Sequence, residues 1–382
     1  MVKRKVMLLM TTLMCWLLMS GSVFAEAFSD LANSLHQYHK GQDVFFMYML
    51  VAFLMLFIKR FQWGITLVTV LTLAVSFPLY LFVQQAVFGF DMIASDMIIL
   101  GIVCSITLII ACGMFLGTIK TWVFLIAAVL FVPAYSLHEW WLFTYLEGVA
   151  DAGGSILVHV FACYWGYGVI LSIRNKEIFD APMNATTDSV DFVWLASMIL
   201  MVLWPSFTGA LVAPDMVLHV MVITYFALFG SCLSVYVMLS MLQKRIDPLV
   251  FCYACLAGGV TIGSLVDLVG PGTALIVGAV AGILSCFMFL YVAPVMNKAL
   301  GVFDVMGVHN LHGGPGILGA LIAIQFAGMV NLTAVVGSMA IALVTGLITG
   351  VILKSFGKPT HNLDDLESML IEDARAAESA NA

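Results

Sequence analysis

Charge is what this sequence has least of. Of its 382 residues only 10% are Asp, Glu, Lys or Arg, while 63% are hydrophobic and the mean hydropathy is +1.09. Soluble proteins carry roughly 25% charged residues, and no water-soluble fold has an interior large enough to hide this much apolar surface. No basic stripe runs along the chain, which removes the electrostatic footprint of nucleic-acid binding. The net charge of -7 comes largely from the end of the chain, at Asp364, Asp365, Glu367, Glu372, Asp373 and Glu378. The eight cysteines all fall in apolar segments and none in a polar connection, so free thiols are expected and no disulfide framework. Cys252 and Cys255, spaced as a redox or metal motif, read better as small packing residues of an apolar helix. Alternating strand patterns are also missing. The apolar runs are continuous over about 20 residues, the length a helix needs to cross a bilayer, rather than the weaker period-two pattern of a barrel.

The N-terminus has the layout of a secretory signal: Lys3, Arg4 and Lys5, an apolar run from Val6 to Met19, then Ser22-Val23-Phe24-Ala25. Cleavage after Ala25 is predicted, with retention as an uncleaved span as the alternative. Residues 1–25 are then a signal peptide, 26–356 a transmembrane domain and 357–382 an acidic cytoplasmic tail. Within the domain, spans are predicted at 44–58, 63–83, 97–117, 121–138, 153–173, 191–211, 217–241, 248–267, 273–293, 308–329 and 332–353. With an external start, the connections after the odd-numbered spans are cytoplasmic. These hold Lys59, Arg60, Lys120, Arg174, Lys176, Lys244, Arg245, Lys298, Lys354 and Lys358, whereas the connections on the other side hold no Lys or Arg. The expected fold is therefore an all-α polytopic membrane protein of eleven transmembrane helices, N-terminus outside and C-terminus inside. Eleven divides as five plus five plus one, and an odd half gives a 5+5 inverted repeat.

Two motifs fit that division. Span 5 opens with Asp151-Ala152-Gly153-Gly154 and reaches His159; span 10 opens with Asp304-Val305-Met306-Gly307 and reaches His309. Gly166 and Gly168 in span 5, and Gly313, Gly314, Gly316 and Gly319 in span 10, suit helices that pack closely at the centre of the bundle. An ionisable side chain inside a span is costly, and its default reading is functional. A neutral imidazole donates from one nitrogen and accepts at the other, so His159 and His309 along an apolar passage can hand on a small polar molecule. His309 and His312 could together reach one metal ion, which keeps a membrane metalloenzyme as an alternative, although no Cys, Asp or Glu at ligand spacing completes the set. Phe207, after Trp204-Pro205-Ser206, could form a hydrophobic constriction. Trp141, near the outer end of span 4, offers a ring face that attracts cations, and His138 beside it is either interfacial or part of the pore mouth.

The strings Asp151 to His159 and Asp304 to Gly313, with Trp204-Pro205-Ser206-Phe207 and Leu256-Ala257-Gly258-Gly259, closely resemble the signatures of the ammonium transporter/Rhesus superfamily, and its Rhesus branch in particular. The resemblance covers nearly all of the chain from span 1 to span 11. It implies a channel rather than an enzyme, without cofactor, conducting ammonia or ammonium, with methylamine and carbon dioxide as further candidate substrates. It also implies a homotrimer, one pore per subunit, in the lipid of a bacterial inner membrane. By motif, His159 and His309 match twin pore histidines, Asp151 and Asp304 structural acids, Phe207 the inner gate and Trp141 an external recruitment site; His312 belongs to the Rhesus-like signature. Thr208 stands where the Rhesus motif has Asn, and Val103 where an outer gate Phe is expected. An ammonium sensor acting on a separate cytoplasmic regulatory protein, docked on the segment from Asp364 to Glu372, is the alternative function.

Overall fold

The computed structural model describes residues 34–56, 62–174, 187–210, 212–243 and 245–357, together with 10–12, 31, 378 and 379. The signal-cleavage site, Lys59, Arg60, Lys176, Lys244 and nearly all of the acidic tail lie outside the described residues. Among the described residues there is no strand. The helices are α1 (34–54), α2 (Gln62–Val83), α3 (Ser95–Cys112), α4 (Val123–Trp140), α5 (Ser155–Ile173), α6 (Thr187–Thr208) and α7 (Val217–Leu242). They continue with α8 (Pro248–Ile262), α9 (Pro271–Leu300), α10 (His309–Gly313 running on into Gly314–Ala327) and α11 (Val330–Lys354). Seven of the described helices are long and apolar enough to cross a membrane by length and composition. The chain is a multi-pass membrane protein.

Several helix boundaries differ from the apolar runs, α9 running on to Leu300 and α3 stopping at Cys112, and two of the differences have a local cause. α1 begins ten residues before the predicted span, through Lys40 and Asp43, because both polar groups find partners inside the protein: Lys40 Nζ donates to the Ala210 carbonyl at 3.0 Å, and Asp43 accepts from Ser206 Oγ at 2.6 Å. α8 is broken at Cys255 and Leu256 and unwinds after Ile262 into turns that reach Leu268. Gly259 and Gly263 sit where no side chain fits, against Trp204 and against the Gly153 carbonyl.

Lipid supplies no hydrophobic force between helices, so the bundle is held by close backbone approach and by interhelical hydrogen bonds. Glycine brings α7 and α9, and α5 and α11, to backbone contact. A Cβ at Gly278 would lie 1.9 Å from the Ala227 carbonyl oxygen, and one at Gly346 2.1 Å from that of Trp165. Polar stitches join the other half: Tyr48 of α1 to Thr72 of α2 at 3.0 Å, Ser76 to Ser105 of α3 at 2.7 Å, and Tyr80 and Gln84 to the Glu139 carboxylate at the end of α4 at 2.8 and 2.9 Å. The seven described cysteines are all free. α5 is the most enclosed of the long helices, with 83% of its apolar window inside the protein against 33–50% for the others. Centrality of that helix is what the glycines of span 5 predict.

The α7–α9 contact leaves no room for even one methyl group. Gly278→Ala is expected to destabilise the protein by about 1–3 kcal/mol through overpacking. Gly272→Ala, on the same helix with nothing within 4 Å of the added Cβ, should leave the detergent melting temperature near that of the parent; melting both variants checks this.

Candidate functional site

Helices that start inside a membrane protein expose backbone N–H groups to a medium that cannot satisfy them. α5 and α10 solve this in the same way. The Asp151 carboxylate accepts from Ile156 N at 2.9 and 3.0 Å, from Leu157 N at 2.8 Å and from Ser264 Oγ at 2.6 Å. The Asp304 carboxylate accepts from Val308 N at 2.9 Å and from His309 N at 2.8 Å. Three residues beyond each aspartate is a glycine in the left-handed region, Gly154 at φ +80° and Gly307 at φ +68°, whose N–H returns to the aspartate carbonyl. A side chain at φ near +80° is strained, so the turn needs glycine. Each helix then opens with a π turn, Ser155–Val160 and His309–Gly313, a wider coil that often marks functional sites.

Neighbours hold the turns in place. Asn331 at the start of α11 exchanges two hydrogen bonds with the backbone of Ala150, at 2.9 and 3.0 Å. Gly153 N donates to the Gly263 carbonyl at 2.7 Å, locking the first turn against the unwound end of α8. On the second turn, Asn297 accepts from Asp304 N at 3.3 Å.

The histidines eight residues beyond the two aspartates meet. His159 Nδ1 and His312 Nδ1 are 3.0 Å apart, with ring centroids 5.0 Å apart and planes inclined by 21°. This corrects the expected pairing of His159 with His309. His309 lies only five residues beyond Asp304, its N–H is taken up by the cap, and its ring meets the edges of Tyr167 and Tyr164 at 5.4 and 6.1 Å. Eight residues place His312 two turns further on, at the depth that matches His159. The equal spacing from Asp to His was the sequence signal that identifies the pair. His309 and His312 thus face different neighbours, and among the described residues no three His, Cys, Asp or Glu side chains converge as a metal site.

One nitrogen of the His159–His312 contact carries the hydrogen and the other the lone pair. His159 Nε2, Trp204 Nε1 and His309 Nδ1 are buried and have no partner, an arrangement that leaves polar atoms free beside the pair for a small guest. Trp204 stacks on His159 at 6.1 Å and Phe207 tilts against it at 6.0 Å.

Phe207 also lines a cavity of about 440 Å³ that opens on the Asp151 turn, with Val103, Leu157 and Ala210 in its wall and Asp267 exposed at its edge. Val103 brings no ring to this wall. A second cavity of about 560 Å³ opens on the Asp304 turn and is lined by Tyr253, Phe289, Lys298 and Asn310 among others. The Asn310 Oδ1 atom is buried and unpartnered. Trp141 begins a π turn and packs on Gly337 of α11, while Phe143 lines the first cavity. His138 is wholly buried, stacked on Phe161 at 4.4 Å with Nε2 2.7 Å from Ser338 Oγ, and belongs to the α4–α11 packing rather than to a pore mouth. Thr208 bonds Thr224 at 2.7 Å, tying the end of α6 to α7. Reading along the chain missed Glu139, whose partners Tyr80 and Gln84 lie on another helix.

Residues 5–358 match the sequence profile of the Ammonium Transporter Family. The chain is 33% identical over 265 residues to the ammonium transporter Rh type A of Bos taurus, covering 65% of this chain and 62% of that protein. It is 31% identical over 316 residues to the Rh type C transporter of the same species, covering 80% and 68%. The fold superposes on Rh50 of Nitrosomonas europaea with a TM-score of 0.85 at 30% identity, covering 91% of this chain and 98% of that one. With a family match over nearly the whole length and two Asp-capped helices meeting at a histidine pair, the chain belongs to the ammonium transporter family.

Proposed function

We propose that this protein is a channel that conducts ammonia or ammonium through each subunit, and that His159 and His312 form the polar station of an otherwise apolar pore. The observation that carries this is the 3.0 Å contact between their Nδ1 atoms, made by two helices whose capped turns each open on a cavity. The path runs from the cavity at Asp151, past Phe207, along His159 and His312, and past His309 and Asn310 to the cavity at Asp304. Phe207 is the barrier, since it both lines the first cavity and touches the His159 ring.

The chemistry favours passage of the neutral molecule. A bare ammonium ion moved into an apolar interior loses its hydration and needs a counter-charge. The two carboxylates nearest the path are turned to backbone N–H groups and do not supply one. Ammonia carries three N–H donors and one lone pair, so it can accept from an indole N–H and either donate to or accept from an unpartnered imidazole nitrogen. The pair can also pass a proton, so neutral passage and proton movement are separable. Around this core the proposed architecture is eleven spans in a 5+5 inverted repeat plus one, with the N-terminus outside and the tail inside. The local identity of the Asp151 and Asp304 turns supports the repeat. A cleaved signal, a homotrimer in a bacterial inner membrane, methylamine or carbon dioxide as further substrates, and a cytoplasmic regulator on the tail complete the proposal.

Liposomes containing the protein should acidify or alkalinise in an ammonia gradient faster than empty ones, and equal rates would remove the channel reading. His159→Ala and His312→Ala should each change the ratio of current to ammonia flux by about tenfold or more, while His309→Ala changes it less; simultaneous recording of current and internal pH decides. Asp151→Asn replaces a charge-assisted cap with an amide that presents N–H groups to N–H groups. It should cost about 1–3 kcal/mol of stability, read as a lower melting temperature, together with reduced flux.

A further inference from the structure

Lys40 breaks the charge pattern of the chain. Of all the Lys and Arg residues after position 25, it is the one that the topology places outside, where every other predicted external connection has none. A lysine on the outer surface would be solvated and of no consequence. This one is 5% exposed. Its Nζ donates to the carbonyl oxygens of Gly209 at 3.3 Å and Ala210 at 3.0 Å. Those carbonyls follow the last turn of α6, the helix that carries Phe207, where the helix dipole is negative and carbonyls lack intrahelical donors. Asp43, nearly one turn further along α1, is engaged by Ser206 rather than by Lys40. Among the described residues both hydrogen bonds of Nζ go to these carbonyls and none to a carboxylate.

The position of that charge matters because of what its acceptors line. Ala210 and Phe207 are both in the wall of the cavity on the Asp151 turn, and the Lys40 ammonium is held on the carbonyl of Ala210, three positions beyond the barrier residue. Chemically it is an alkylammonium held by two carbonyl oxygens, the kind of site that a free ammonium ion would occupy. The protein fills that site with its own tethered cation. A second cation reaching the wall meets like charge and finds the carbonyls taken, while a neutral molecule feels neither. Asp267 at the edge of the cavity draws cations towards the mouth; Lys40 opposes them at the throat.

We propose that Lys40 is a specificity-determining residue, a built-in cation that keeps ammonium out of the pore and lets the neutral species pass Phe207. The inference rests on the channel reading above. The plain alternative is that Lys40 only pins α1 to α6.

Charge is separated from hydrogen bonding by two substitutions in the full chain, reconstituted in liposomes with current and internal pH recorded together under an ammonium chloride gradient. Lys40→Gln keeps an amide donor for the two carbonyls and removes the charge; Lys40→Arg keeps the charge. The expected result is a ratio of current to ammonia flux about tenfold or more above the parent for Gln, and within about twofold of it for Arg. A ratio unchanged in the Gln variant, or raised equally in both, overturns the proposal in favour of a pin. Should the Gln variant not fold, Ser206→Ala breaks the other tie between α1 and α6, its hydrogen bond to Asp43, and leaves the Lys40 charge in place. Its ratio should stay within about twofold of the parent, and a ratio raised about tenfold overturns the proposal in favour of a pin. A parent protein with no ammonia-driven pH change overturns the channel reading itself, and the inference with it.

Discussion

Every buried helix start in this protein raises the same difficulty, four backbone N–H groups with no water to receive them. The site exists because two of these starts are answered by aspartate. A carboxylate that caps a helix within the bundle lets the chain begin a helix part-way through the protein, behind a cavity, rather than at the lipid surface. Depth for the histidines follows from this. Two turns beyond each cap, one imidazole from each helix arrives at the same place. The glycine at φ near +80° or +68° turns the chain sharply enough to bring the aspartate back over its own helix, and Ser264, Asn297 and Asn331 hold the turns from outside.

Helix positions were legible because lipid rewards continuous apolar runs, and a run cannot hide. The departures come where polar groups are satisfied inside the protein. α1 starts early since Lys40 and Asp43 have partners on α6, and hydropathy treats them as surface residues. α8 breaks since its glycines serve contacts with Trp204 and with the Asp151 turn, which no local pattern reveals. Asp151, Asp304 and the histidine motifs stood out as polar residues in apolar helices. What remained hidden was which histidine of His309 and His312 would face His159. A motif places residues along a helix, whereas a pairing depends on which face and depth they share, and only the equal eight-residue offset from the caps carried that information. Trp141, just past the end of α4, packs on Gly337 of α11, a contact between distant helices that no local pattern reveals.

The two halves of the molecule use different glue. α7 with α9 and α5 with α11 are drawn together to backbone contact by glycine, whereas α1 to α4 are joined by hydroxyl and carboxylate bonds along one face of α2. Backbone contact tolerates no added atom, and hydrogen-bonded seams tolerate no lost partner. The enclosed α5 belongs to the first kind on its α11 side, so the histidine it carries stands on a rigid support, with Trp204 stacked over the ring.

That rigidity bears on the single hydrogen between His159 and His312. When a proton enters at the far nitrogen of one ring, the shared hydrogen crosses, and the other ring releases a proton at its own far nitrogen, both imidazoles end in the opposite tautomer. The next proton travelling the same way meets a ring that offers hydrogen where a lone pair is required. Before a second transfer can occur, each ring must turn over or the hydrogen must retrace its path, and a ring clasped between Trp204, Phe207 and its partner turns with difficulty. A neutral molecule that only exchanges hydrogen bonds with the pair would leave its tautomers as they were. In the channel proposed above, the contact would be a turnstile for protons that has to be reset after each passage.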